Sequence, residues 1–237
     1  MKIGILQVGK APEESIDIYG SYAEMFIALL DPKKQSFDFK IFEICDDEFP
    51  LSCDECDGWI ITGSRHGVYE SIPWIKQLSQ LIVDIVNSNS PLLGICFGHQ
   101  IIAQALGGKV EKSAKGWGVG FDTYKLADKT HYMDNLNSEI MLNIMHQDQV
   151  TIPPKGAVVY AASDFCQCAG FYVDDKVLTI QAHPEFLVDF NKVLLIQRSS
   201  SVIPKEIVDP ALVELDRGYK DVDSDNFAQS MRNFLLR

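Results

Sequence analysis

The sequence predicts an α/β fold, a three-layer α/β/α sandwich with a mostly parallel central sheet and C-terminal helices. Three observations predict it. Short apolar runs of strand length alternate with amphipathic stretches of helical period through the first half of the chain. That order calls for parallel strands with helices on both faces. The 237 residues are enough for one large core, and 46% hydrophobic with 23% charged residues is the balance of a globular protein. No internal repeat, low-complexity tract or linker composition divides the chain, so residues 1–237 are expected to form one domain.

The elements follow in order. Residues 2–8 are apolar but short and lack a small-residue cleavage site after them, so they are expected to be a first strand and not an export signal. Residues 19–30 have the period of an amphipathic helix, and 37–44 alternate like a strand. An acidic loop over 46–57 leads to an apolar strand at 58–62 and a helix at 72–86. A second apolar strand at 91–95 runs straight into a helix at 97–106, closed by Gly107-Gly108. Beyond Lys109 the segments 110–125, 139–150, 158–173 and 177–181 read as strands and hairpin-like connections, with Asp174-Asp175 as a turn. From Phe186 the chain is helical again. Pro204 and Pro210 are expected to interrupt it, giving two or three helices and a C-terminal extension from about residue 202.

The formal net charge of -12 repels phosphate backbones and anionic lipid, so neither nucleic acid nor membrane is an expected partner. No apolar run is long enough to cross a bilayer. The six cysteines are expected to be free thiols in a reducing cytoplasm. Cys53-x-x-Cys56 is a zinc half-site in form. Its only counterpart, Cys166-x-Cys168, is too tightly spaced and too distant in sequence, so no metal is expected.

The chemistry concentrates in two segments. In Gly94-Ile95-Cys96-Phe97-Gly98-His99-Gln100 an apolar strand meets a helix at a cysteine with glycine two residues to either side. Glycines there permit the sharp turn that lifts a nucleophile out at the carboxyl edge of a sheet. The dipole and free N–H groups of the helix favour a thiolate at Cys96, and the Phe97 N–H points toward a forming oxyanion. A buried core cysteine is the alternative, but two polar residues opening an apolar helix count against it. The second segment is His183-Pro184-Glu185, directly after the strand at 177–181. In extended backbone His183 and Glu185 share a side, so the carboxylate can orient the imidazole. Alone, this pair is equally well a loop histidine and a helix-capping acid. With the cysteine turn, it reads as a base and its orienter. His99 and His146 are expected to be structural, and Trp117 a core or pocket-wall residue. Arg65, His66, Tyr69 and Glu70 are divided evenly between substrate contacts and a solvated loop.

Together these segments resemble the class I glutamine amidotransferases, which carry a Gly-x-Cys-x-Gly-x-Gln turn and a late His-Pro-Glu. The resemblance extends to Ile60-Ile61-Thr62-Gly63-Ser64, Gly107-Gly108, Lys115-Gly116-Trp117-Gly118 and His146-Gln147-Asp148-Gln149-Val150. It implies a flavodoxin-like sheet and a triad of Cys96, His183 and Glu185. It also implies an oxyanion hole from the backbone of Gly63 and Phe97, and substrate contacts from Gln100, His146, Gln147 and Asp148. No cofactor is implied. The expected substrate is glutamine or another γ-glutamyl compound. The loop at 64–74 is similar to that of stand-alone members, the branch of plant γ-glutamyl peptidases. It departs from the Gly-Gly-Pro form of GMP synthetase glutaminases, which the branch otherwise resembles. The competing expectations are a non-catalytic or partner-activated subunit feeding ammonia to a separate synthetase, and a redox-sensing cysteine protein, which would lack His-Pro-Glu. The C-terminal extension is expected to cover the sheet or to form a homodimer contact.

Overall fold

The structure, a computed structural model, describes residues 1–217 and 222–237. The first half runs β1 (Lys2–Gln7), α1 (Glu13–Tyr19), α2 (Tyr22–Leu30), β2 (Asp38–Glu43), β3 (Gly58–Ile61), α3 (Pro73–Ser88), β4 (Leu92–Ile95) and α4 (Phe97–Ala105). Seven strands follow: β5 (Lys109–Lys112), β6 (Gly118–Leu126), β7 (Glu139–His146), β8 (Asp148–Ile152), β9 (Val158–Ala162), β10 (Gly170–Val173) and β11 (Val177–Ile180). The described chain ends with α5 (Val188–Arg198), α6 (Lys205–Asp216) and α7 (Ser224–Leu235).

Nine strands form one sheet in the order β2-β1-β3-β4-β11-β10-β9-β6-β7, and β5 pairs with β8 in a small second sheet. The run from β2 to β11 is parallel, and the remaining pairs are antiparallel. The late strand β11 lies in register against β4, with Val177 opposite Leu92 and Ile180 opposite Ile95. The ends of β3, β4 and β11 are therefore neighbours, at the sheet edge where α/β proteins bind ligands.

Strand alternation makes two cores. Ile3, Ile5, Ile60, Leu93 and Ile95 face α2 and α7, packing with Phe26, Phe227, Met231 and Phe234. Leu6, Trp59, Ile61 and Leu92 face α3 and α4, packing with Leu78, Ile82 and Ile101. A third cluster joins Tyr22 and Met25 of α2 to Phe190 and Leu194 of α5 and Val208 of α6. This is the expected three-layer α/β class, and α7 covers the sheet.

Two expectations need correction. The segment expected as one helix over 19–30 begins at the junction of two, with α1 ending at Tyr19 and α2 starting only at Tyr22. Gly20 caps the first, and its φ of 78° reverses the chain. Ser21 then caps α2 in a capping box, its hydroxyl accepting from the Glu24 N–H at 3.2 Å and its own N–H donating to Glu24 Oε2 at 2.7 Å. Pro210 does not interrupt the C-terminal helices either; it lies inside α6. A helix-interior proline costs about 3 kcal/mol, and burial of Val208, Ala211 and Leu215 along α6 offsets it. Among the described residues, no helix is long and apolar enough to cross a membrane.

Candidate active site

Cys96 occupies the turn between β4 and α4 with φ 52° and ψ -103°, a conformation that L-residues avoid. The flanking glycines make this turn possible. A methyl group on Gly98 would sit 2.4 Å from the Ile61 carbonyl oxygen, and one on Gly94 would sit 2.7 Å from the Gly98 carbonyl oxygen. The Cys96 N–H donates to Ile180 O at 2.9 Å, tying the turn to the end of β11. Strain of this kind persists only where the surroundings enforce it, and it gathers at functional sites.

His183 follows β11, and its backbone N–H donates to Asn143 O at 2.8 Å. Its Nδ1 lies 2.7 Å from Glu185 Oε1, and the ring shares a narrow crevice with the Cys96 sulfur. With Nδ1 taken by the carboxylate, Nε2 is the nitrogen left for sulfur. The ring stacks on Phe186, with centroids 4.0 Å apart and planes 6° from parallel. Burial alone would drive the proton off His183. The Glu185 carboxylate, hydrogen-bonded to the ring, and the neighbouring Cys96 sulfur outweigh it and raise its proton affinity well above that of an ordinary histidine. The other two buried histidines go the opposite way. Burial pushes His99 down to about 3 and His146 down to about 4.

The expected oxyanion donors also converge here. Gly63 follows β3, and a methyl group on it would meet His183 Cε1 at 2.8 Å and Cys96 Cβ at 3.7 Å. Phe97 is the first residue of α4, so its N–H precedes the intrahelical ladder. No hydrogen-bond acceptor among the described residues engages either N–H. The arrangement brings together a thiol sulfur, an imidazole held by a carboxylate, and two backbone N–H groups.

The remaining expected residues line one cavity of about 1000 Å³ that opens from Cys96. Gln100 reaches across its floor, donating through Nε2 to Asp148 O at 2.8 Å and to Gln181 Oε1 at 3.1 Å. His146 places Nδ1 3.1 Å from Asp148 O, and its buried Nε2 has no partner among the described residues. Gln147 and Asp148 form the cavity wall with Arg65, His66, Tyr69, Glu70 and Trp117. Tyr69 donates its hydroxyl to Asp148 Oδ2 at 2.9 Å, bridging the two sides. His66 Nδ1 lies 2.9 Å from Glu70 Oε2, which holds the loop in shape. His99 lies away from the cavity, with its ring nitrogens on Thr179 Oγ1 and Cys168 O.

The sequence reading missed two groups. Asn143 donates Nδ2 to Phe186 O at 2.9 Å and accepts Asn191 Nδ2 at 3.0 Å, so a buried amide pair fixes the turn that carries His183 and Glu185. Its signal is an asparagine inside the apolar strand β7. Tyr22 and Arg198 line the crevice at Cys96, His183 and Glu185, and nothing local in sequence marks them. Burial of Tyr22 raises its phenol to about 12, keeping it neutral. Among the described residues, no cluster of histidine, cysteine or carboxylate is arranged to hold a metal ion. Cys166 and Cys168 pack in different cores.

The family model for glutamine amidotransferase class-I matches residues 14–199. Gamma-glutamyl peptidase 2 of Arabidopsis thaliana is 31% identical over 204 residues, covering 84% of this chain and 79% of the relative. Gamma-glutamyl peptidase 4 of the same plant is 33% identical over 175 residues, 71% of this chain and 69% of the relative. The crystal structure of a glutamine amidotransferase from Methylobacillus flagellatus superposes with a TM-score of 0.75 at 20% identity, covering 99% of this chain and 94% of that one. Its likeness concerns the fold. The chain belongs to the class-I glutamine amidotransferase family.

Proposed function

We propose that this chain hydrolyses the γ-glutamyl amide bond of glutamine or of a γ-glutamyl peptide through a cysteine thioester. The observation that carries the reading is the convergence at the ends of β3, β4 and β11. Three neighbouring parallel strands end in Gly63, Cys96 and the His183–Glu185 pair, with His183 Nδ1 2.7 Å from Glu185 Oε1. In this mechanism the Cys96 thiolate attacks the γ-carbonyl carbon and a C–S bond forms. The Gly63 and Phe97 N–H groups hold the oxyanion. The tetrahedral species collapses as the C–N bond breaks, and the leaving amine takes the proton from His183. Water then attacks the thioester, giving its proton to His183. The C–S bond breaks, and glutamate leaves with Cys96 restored as thiolate. Glu185 keeps the imidazole oriented throughout. The similarity to plant γ-glutamyl peptidases over most of both chains favours an activity that needs no synthetase.

The test is glutamate release by the purified chain from glutamine and from γ-glutamyl dipeptides, without ATP or a partner. Release from at least one substrate, abolished in Cys96→Ala, is the expected result. A folded protein silent on all of them contradicts the proposal.

A further inference from the structure

Among the described residues, Arg198 is a cation without a matching anion. It ends α5 and continues the stripe of Asn191, Leu194 and Leu195 that packs inward, which turns its stem toward the cavity. It is half-buried. Its guanidinium donates to Met145 Sδ at 3.3 Å, a weak acceptor for so strong a donor group. Among the described residues no carboxylate forms an ion pair with it. The other cations lining the cavity differ. Lys10 is paired with Asp46 at 2.6 Å, while Arg65 and Lys112 stand exposed at the rim. A partly desolvated guanidinium facing an open cavity is a ready site for a carboxylate, whose geometry its planar fork matches.

Its position indicates which carboxylate. Arg198 lines the narrow crevice that holds Cys96, His183 and Glu185, as well as the wider cavity. Gln100, His146 and Asp148 line the wider cavity and not the crevice. In the mechanism proposed above His183 hands a proton to the leaving amine, so a cation that shares its crevice is placed to meet the leaving group. Ammonia needs no cation there. The cavity of about 1000 Å³ is also at the upper end of the range that holds drug-sized ligands, far beyond what glutamine fills.

We propose that Arg198 anchors a free carboxylate on the departing half of the substrate. The chain then selects γ-glutamyl amides whose leaving amine is itself an amino acid or short peptide. This rests on the hydrolase reading above.

The test uses γ-glutamylglycine and γ-glutamylalanylglycine, each beside its C-terminal amide, with glutamine as a third kind of substrate. In the wild-type protein at least one free acid is expected to have a KM about tenfold or more below that of its amide, the size of effect that charged hydrogen bonds produce. Arg198→Met is expected to shrink that preference toward one by raising KM for the acid, and Arg198→Lys to keep part of it. An active wild-type protein that treats acid and amide alike overturns the proposal and needs no variant. So does Arg198→Met if it impairs acids, amides and glutamine equally, which would put Arg198 on the glutamyl end or in the fold. Activity on glutamine alone overturns it while sparing the hydrolase reading. Silence on every substrate overturns both.

Discussion

Glu185 spends one carboxylate oxygen on His183, and its other oxygen, Oε2, is buried without a hydrogen-bond partner among the described residues. In Glu185→Gln the amide oxygen can keep the contact to Nδ1, while its NH₂ falls where no acceptor waits. Geometry is kept and charge is lost. Because the carboxylate raises the proton affinity of His183 against burial, removing the charge must lower it. The His183 ring should therefore titrate at lower pH in Glu185→Gln than in the wild type, read from its ring nitrogen resonances by NMR. An unchanged titration would mean that Glu185 does not set the charge of the ring. Turnover should fall less in this variant than in His183→Ala, where loss of the proton shuttle is expected to cost about 10²–10⁴-fold. Equal inactivity would give the carboxylate a larger role than orientation. The residue scale was legible where chemistry sits in short motifs. Cys96, His183 and Glu185 could be named as candidates because two short motifs, taken together, set reactive side chains beside glycines or a proline that shape the backbone. Arg198 and Tyr22 could not, since their place depends on how α5 and α2 pack and not on their neighbours in sequence.

At the scale of the element, the turn from β4 into α4 holds Cys96 at φ 52° and ψ -103°. Residues so placed store of order 1–3 kcal/mol of strain, which glycine relieves and alanine does not. Cys96→Gly should therefore resist urea better than Cys96→Ala, by about 1 kcal/mol after the entropy of glycine in the unfolded chain is counted. The reverse order would show that the turn is not strained. The same turn was readable in advance because glycines at two-residue spacing leave few alternatives. The break at Gly20 was less so. Apolar period continues through residues 19–30, and only the Ser21–Glu24 capping box marks the start of α2. Pro210 misled for a different reason. Local propensity argues for a break, but the buried face of α6 outweighs it.

The whole molecule places its last helix within its main core. Phe227, Met231 and Phe234 of α7 pack with Ile3, Ile5 and Phe26. Removing residues 222–237 would uncover that face of the sheet, so the truncated chain should lose cooperative unfolding, monitored by circular dichroism. A truncated chain with an unchanged transition would make α7 an appendage. The sequence placed helices here but not their partners, because α7 packs on β1 and α2 across nearly the whole chain. The position of β11 beside β4 was hidden in the same way. Its apolar run marks a strand, whereas the parallel pairing that brings His183 to Cys96 is a property of the assembled sheet.

The central claim is that Cys96 carries the acyl group. It is tested most directly by acid-quenching the protein during turnover of a γ-glutamyl dipeptide and measuring the mass of the peptide containing Cys96. The account predicts a γ-glutamyl adduct on Cys96 that accumulates in turnover, disappears as substrate is exhausted, and is absent in Cys96→Ala together with glutamate release. Sustained glutamate release by Cys96→Ala, with no adduct on the wild-type cysteine, would contradict it.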